Sequence, residues 1–236
     1  MVRYALYFSP GPGDALAELG ASWIGRDAES GKPVEHPNLE ELGASELASL
    51  TGPARRYGFH ATLKAPFRLA QGVSEADLTA AVTTFAAAAP AFEIPSLSVG
   101  RLEGFVALVP EHPAPELATF AQSVVEAFEP LRAALSEQDM ARRNPEALSP
   151  SQLRNLMRWG YPYVSDDFRF HMTLSTRLIE PDLSRVAAAA SRHFAPVLSR
   201  PIPVSALTVF VEPEPGAAFE IHSRIPLAPG QQREFA

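Results

Sequence analysis

Two short strings carry the residues best suited to chemistry: Phe59-His60-Ala61-Thr62-Leu63-Lys64 and Phe170-His171-Met172-Thr173-Leu174-Ser175. An imidazole, with an ordinary pKa of about 6.5, takes or gives a proton near neutral pH, so a pair of histidines can supply a base and an acid to one reaction. Both strings read as strands, in which successive side chains point to opposite faces. His60, Thr62 and Lys64 then share one face while Phe59, Ala61 and Leu63 share the other. In the second copy Arg169, His171, Thr173 and Ser175 oppose Phe168, Phe170, Met172 and Leu174. Each strand has an apolar back suited to packing under helices and a polar front able to bind an anion. One His-x-Thr pair on a strand is usually an ordinary surface pair; two, each followed by Leu, at matching places in a repeated order of elements, form a pattern.

That repeat sets where the strings must sit. Residues 3–8 read as a strand, followed by a helix over about 14–24 with Leu16, Leu19 and Trp23 on one face. After a Gly/Pro/Glu-rich stretch and a short helix near 45–50 comes the first motif strand, ended by Pro66. Ser74-Glu75-Ala76-Asp77 resembles a capping box opening an Ala-rich helix to about 88, and strands follow at 94–101 and 103–109. The second half replays the order: a helix at 114–128, a helix opened by Ser149-Pro150-Ser151-Gln152, the motif strand 168–175, an Ala-rich helix at 182–194, and strands at 203–211 and 218–226. The expected fold is α+β, a duplicated two-lobed arrangement whose antiparallel sheets face a central cleft with helices packed outside. The lobes are expected at 1–110 and 111–236 within one bilobed domain. The Arg-, Pro- and Tyr-rich stretch 136–167 departs from a minimal lobe and reads as a lid, a substrate-selecting insertion or a structural connector.

Composition narrows the chemistry. The chain has 236 residues, 46% of them hydrophobic and 20% charged, enough for a full core. It has no cysteine, which excludes disulfides, thiolate metal sites and a Cys nucleophile. No metal-ligand spacing and no cofactor motif stands out, so no metal and no cofactor are expected. The net charge of −7 argues against long duplex nucleic acid, which is gripped through a basic surplus, and leaves a small anion or a chain end. Only two of the basic residues are lysines, Lys32 and Lys64, and one of them falls in a motif. The N-terminal apolar run is too short for a signal peptide and no segment approaches 18 apolar residues, so a cytoplasmic protein without membrane contact is expected.

The paired Phe-His-Ala-Thr-Leu and Phe-His-Met-Thr-Leu strings, with the longer Arg56-Tyr57-Gly58-Phe59-His60-Ala61-Thr62-Leu63-Lys64-Ala65-Pro66-Phe67, resemble the motifs of the 2H phosphoesterase superfamily. They are closest to a bacterial branch encoded beside phosphonate-utilisation genes. The resemblance implies a bilobed fold with its site between the lobes. It also implies metal-independent hydrolysis of a small cyclic phosphodiester, either a nucleoside 2′,3′-cyclic phosphate or a cyclic ribose phosphate from phosphonate metabolism. The residues suit that reaction: His60 and His171 as base and acid in either order, with the Thr62 and Thr173 hydroxyls, Lys64 and Arg169 on the phosphoryl oxygens. Alternatives are RNA 3′-end processing, a 2′,5′-ligase-like activity, or a non-catalytic nucleotide-binding module. Arg55, Arg56, Arg68 and Arg177 flank the motifs, and Tyr7, Tyr57, Tyr161 and Tyr163 are candidates to line the cleft.

Overall fold

The computed structural model describes residues 1–230. In chain order the regular elements are β1 (Arg3–Phe8), α1 (Ala15–Ile24), α2 (Ala44–Leu50), α3 (Gly52–Arg55), β2 (Ala61–Phe67), α4 (Glu75–Ala88), β3 (Phe92–Ile94), β4 (Leu97–Leu102) and β5 (Phe105–Pro110). There follow α5 (Pro115–Ala127), α6 (Glu137–Ala141), α7 (Pro150–Trp159), β6 (Met172–Thr173), α8 (Asp182–Leu198), β7 (Ile202–Val204), β8 (Ala206–Glu212) and β9 (Glu220–Pro226). Local signals explain many of the boundaries. Asp14 caps α1 by accepting from the Leu16 N–H, Gly25 closes it in a left-handed conformation, and reciprocal Ser-x-x-Asp/Gln capping boxes open α4, α6 and α7.

The fold is α+β: a large antiparallel sheet with helices around it. Seven strands run in the order β4-β5-β6-β2-β1-β8-β9, and β3 and β7 form a separate pair. The two motif strands, β2 and β6, are hydrogen-bonded neighbours near the middle of the large sheet, with Ala61 opposite Met172. Beyond each other, β2 pairs with β1 and β6 with β5, both strands of the first half of the chain. The β4–β5 hairpin pairs with β6, and the β8–β9 hairpin pairs with β1, which in turn pairs with β2. A tight turn at Glu103-Gly104, both at positive φ, closes the first hairpin.

Alternation along β1 separates the two faces. Tyr4, Leu6 and Phe8 point into the main core, where they meet Trp23 of α1, Val82 of α4, Val124 of α5 and Phe194 of α8. Ala5 and Tyr7 point the other way, into a smaller cluster with Ala28, Phe210 and Phe219. The motif backs Phe59, Ala61, Phe170 and Met172 belong to the main core. Phe59 sits hard against Gly20 of α1, where a Cβ would lie 2.1 Å from its ring, so α1 approaches the first motif at a distance only glycine allows.

The second motif strand is shorter than its pattern predicts, two residues in place of 168–175. Side chains take over its ladder: the Ser175 hydroxyl accepts from the Val106 N–H at 3.0 Å, and the Trp23 indole N–H donates to the Leu174 carbonyl at 2.8 Å. Among the described residues no helix is long and apolar enough to cross a membrane.

Candidate active site

The pairing of Ala61 with Met172, carried one residue each way along an antiparallel ladder, sets His60 beside Thr173 and Thr62 beside His171. All four side chains lie on the face opposite the main core, and all are half-buried. Each imidazole is held by the same local device. Nδ1 of His60 lies 2.9 Å from the Gly58 carbonyl, and Nδ1 of His171 lies 2.8 Å from the Arg169 carbonyl. A carbonyl only accepts, so Nδ1 carries the proton in both rings and Nε2 is left for a ligand. Gly58 stands at φ 77°, and a Cβ there would meet that of Ala28 at 2.7 Å; only glycine turns this carbonyl toward His60 without strain.

The surroundings of the two rings differ. His60 stacks on Tyr7 with centroids 3.9 Å apart, and Tyr57 lies 6.0 Å away. Burial disfavours its charged form; the Gly58 hydrogen bond opposes that effect and the nearby His171 adds to it, and the result is a pKa pushed down to about 4. His60 is therefore neutral at pH 7, with Nε2 as an acceptor that the Thr62 hydroxyl approaches at 3.4 Å. Burial raises the Tyr7 hydroxyl well above the usual phenol range, so it stays protonated. The His171 ring meets only Phe105, at 5.7 Å, among the described aromatic rings.

The remaining sequence candidates fall in different places. Lys64 is buried and turned against α5, its ammonium 3.1 Å from the Val125 carbonyl and 2.9 Å from Glu129, so its charge is already partnered. Arg169 has an exposed side chain and contributes its backbone carbonyl to His171. Tyr57 and Tyr161 line a cavity of about 290 Å³ next to the histidine face, and Tyr163 is exposed with its ring against that of Tyr161. The stretch 136–167 supplies one wall of the cavity, through Asp139, Arg142, Arg143 and Tyr161 among others. Sequence reasoning did not find Glu212, a buried carboxylate in ion pairs with both Arg3 and Arg56. Its one signal was an acidic residue at the end of a largely apolar strand.

The profile of a family described as "Protein of unknown function (DUF1045)" matches residues 62–220, from Thr62 through the whole second motif. The chain belongs to this family. Among curated proteins it is 41% identical over 232 residues to "Ribose 1,5-bisphosphate phosphokinase PhnN" of Janthinobacterium sp. (strain Marseille), covering 97% of this chain and 51% of that protein. It is 40% identical over 229 residues to the protein of the same name from Laribacter hongkongensis (strain HLHK9), covering 93% and 50%. The chain thus spans about half the length of the curated relatives it matches.

These names correct the hydrolase expectation. Both relatives are named as phosphokinases, which transfer a phosphoryl group to a ribose bisphosphate, and not as phosphodiesterases that hydrolyse a cyclic ester. The physical reason for the error is that imidazoles and hydroxyls on one strand face bind phosphoryl oxygens and move protons in either reaction. The motif does not specify whether water or a sugar phosphate accepts the phosphoryl group.

Proposed function

We propose that this chain supplies the ribose-phosphate side of a phosphoryl-transfer reaction of the kind its relatives are named for, holding ribose 1,5-bisphosphate on the polar face of β2 and β6. The supporting observation is the side-by-side setting of His60, Thr62, His171 and Thr173, two imidazoles tethered through Nδ1 and two hydroxyls on one half-buried face. The sequence contains no G-x-x-x-x-G-K-S/T phosphate loop. The features it does contain suit the sugar phosphate rather than a nucleotide triphosphate. In this reading the likeness to two-histidine phosphoesterases is one of motif, and the reaction is transfer.

The chemistry follows from the state of His60. Burial keeps it neutral, and a phosphoryl dianion beside it favours the imidazolium. His60 therefore takes up a proton with the ligand and donates it from Nε2 to a phosphoryl oxygen, while the threonine hydroxyls donate to the others. Titration calorimetry with ribose 1,5-bisphosphate in two buffers of different ionisation enthalpy tests this. Binding with net proton uptake is expected, weakened at least tenfold in His60→Ala/His171→Ala, with no heat from unphosphorylated ribose. Absence of binding, or unchanged affinity in the double variant, overturns the reading.

A further inference from the structure

Beside the histidine face, the cavity of about 290 Å³ is lined by Arg3, Arg56, Arg68, Arg132, Arg142 and Arg143, together with Lys64. Their carboxylate partners are few. Buried Glu212 serves Arg3 and Arg56, Glu129 serves Arg132 and Lys64, and Asp139 serves Arg68 at 2.7 Å and Arg142 at 3.4 Å. Arg143 lies over the Tyr161 ring at 4.9 Å and has no ion-pair partner among the described residues. Among the described residues these seven cations thus have three carboxylate ion-pair partners between them, in a chain whose net charge is −7. Concentrating like charge in a concave, low-dielectric wall raises its self-energy and focuses a positive potential into the space, and an anion entering it relieves both.

The arginines are also held in place. Glu212 is fully buried, and the Arg3 and Arg56 guanidinium groups fork onto its two oxygens. Glu129 receives two Arg132 nitrogens at 2.6–3.2 Å as well as Lys64. A guanidinium anchored through part of its donor set keeps its remaining N–H groups free at a defined orientation, the geometry that suits a tetrahedral phosphoryl group rather than a diffuse counterion cloud.

We propose that this cavity is a second anion site, distinct from the histidine face, that binds a phosphate monoester group or inorganic phosphate. It stands on its own residues and does not depend on the role given to His60 and His171. Tyr57 belongs to both places: it lines the cavity, and its ring lies 6.0 Å from that of His60. The bound group has two sources, the far phosphate of a ligand that reaches across Tyr57 or a separate phosphate.

The experiment titrates inorganic phosphate into His60→Ala/His171→Ala, which removes the histidine face and leaves the cavity. Binding is expected there. It should weaken tenfold or more when Arg142→Gln and Arg143→Gln are added, with a thermal midpoint within a few degrees showing that the fold is kept. Arg143→Lys should restore part of the affinity. Failure of phosphate to bind the histidine double variant, or equal binding after the arginine changes, overturns the cavity site and leaves the histidine reading untouched. On the otherwise wild-type chain, ribose 1,5-bisphosphate is compared with a ribose monophosphate. If the arginine changes erase the bisphosphate's advantage, the cavity takes the far phosphate of the same ligand; if the advantage survives while phosphate binding is lost, it takes a separate anion. Either result upholds the site.

Discussion

His60 and His171 sit in nearly identical local sequences, each with Nδ1 donating to the carbonyl two residues before it, yet they live in different surroundings. His60 leads into a seven-residue strand paired on both sides and stacks on Tyr7 at 3.9 Å, and its burial keeps it neutral. His171 leads into a two-residue strand and, among the described aromatic rings, meets that of Phe105, tilted at 5.7 Å. The corresponding positions four residues on diverge as well: Lys64 is a buried cation held by Glu129, while Ser175 is a hydroxyl that replaces a backbone acceptor for Val106. A short motif therefore specifies which face a side chain takes and how its ring is tethered. Its proton affinity is set by residues that arrive from elsewhere in the chain.

The largest blow to the His60 side should come from Glu212→Ala. It leaves Arg3 and Arg56 without their buried carboxylate, which burial alone would push up in pKa but which Arg3, the Gly216 N–H and Arg56 hold below the usual range. Breaking a buried pair from one side costs about 3–5 kcal/mol, to be read by denaturant unfolding, with Glu212→Gln milder. A loss under about 1 kcal/mol would mean that Glu212 does not organise this side.

The second effect reads the burial of His60 through pH. An unfolded imidazole protonates near 6.5 and the folded His60 only near 4, so between these values the unfolded chain holds more protons and stability falls as pH falls. The loss attributable to His60 is up to about 3 kcal/mol, complete below pH 4 and absent above about pH 7. Unfolding curves for His60→Asn should be flatter across this window than those of the wild type. A slope that His60→Asn leaves intact would contradict the buried, neutral state assigned to His60.

The smallest effect probes the other side. Trp23→Phe removes the indole donor from the Leu174 carbonyl and should cost about 2 kcal/mol for a buried acceptor left unpaired. Amide chemical-shift changes should gather at residues 171–176 and spare 58–64. Equal disturbance at both motifs would show that the two strands are coupled more tightly than their single pairing suggests.

Much of this organisation was legible along the chain, because it depends on neighbours in sequence. The periodicity of Leu16, Leu19 and Trp23, the Ser74 and Ser149 capping boxes and the apolar backs of the motif strands are local patterns, and helices and strands stand at those places. The length of β6 was not legible, since Trp23 and Ser175 end its ladder through bonds that no strand pattern encodes. The arginine cavity was equally hidden: Arg3, Arg56, Arg68, Arg132, Arg142 and Arg143 lie up to 140 positions apart, and each alone reads as solvated surface.

The sequence by itself determined the polar fronts and apolar backs of two strands and the absence of cysteine chemistry, because these depend on alternation and composition. Only the tertiary structure decided that the two fronts adjoin in one sheet and that hairpins from both halves of the chain flank them. It also decided that burial makes His60 a neutral acceptor and that scattered arginines share one cavity. Those outcomes depend on long-range pairing and on the desolvation it imposes, and neither is a property of any short stretch of residues.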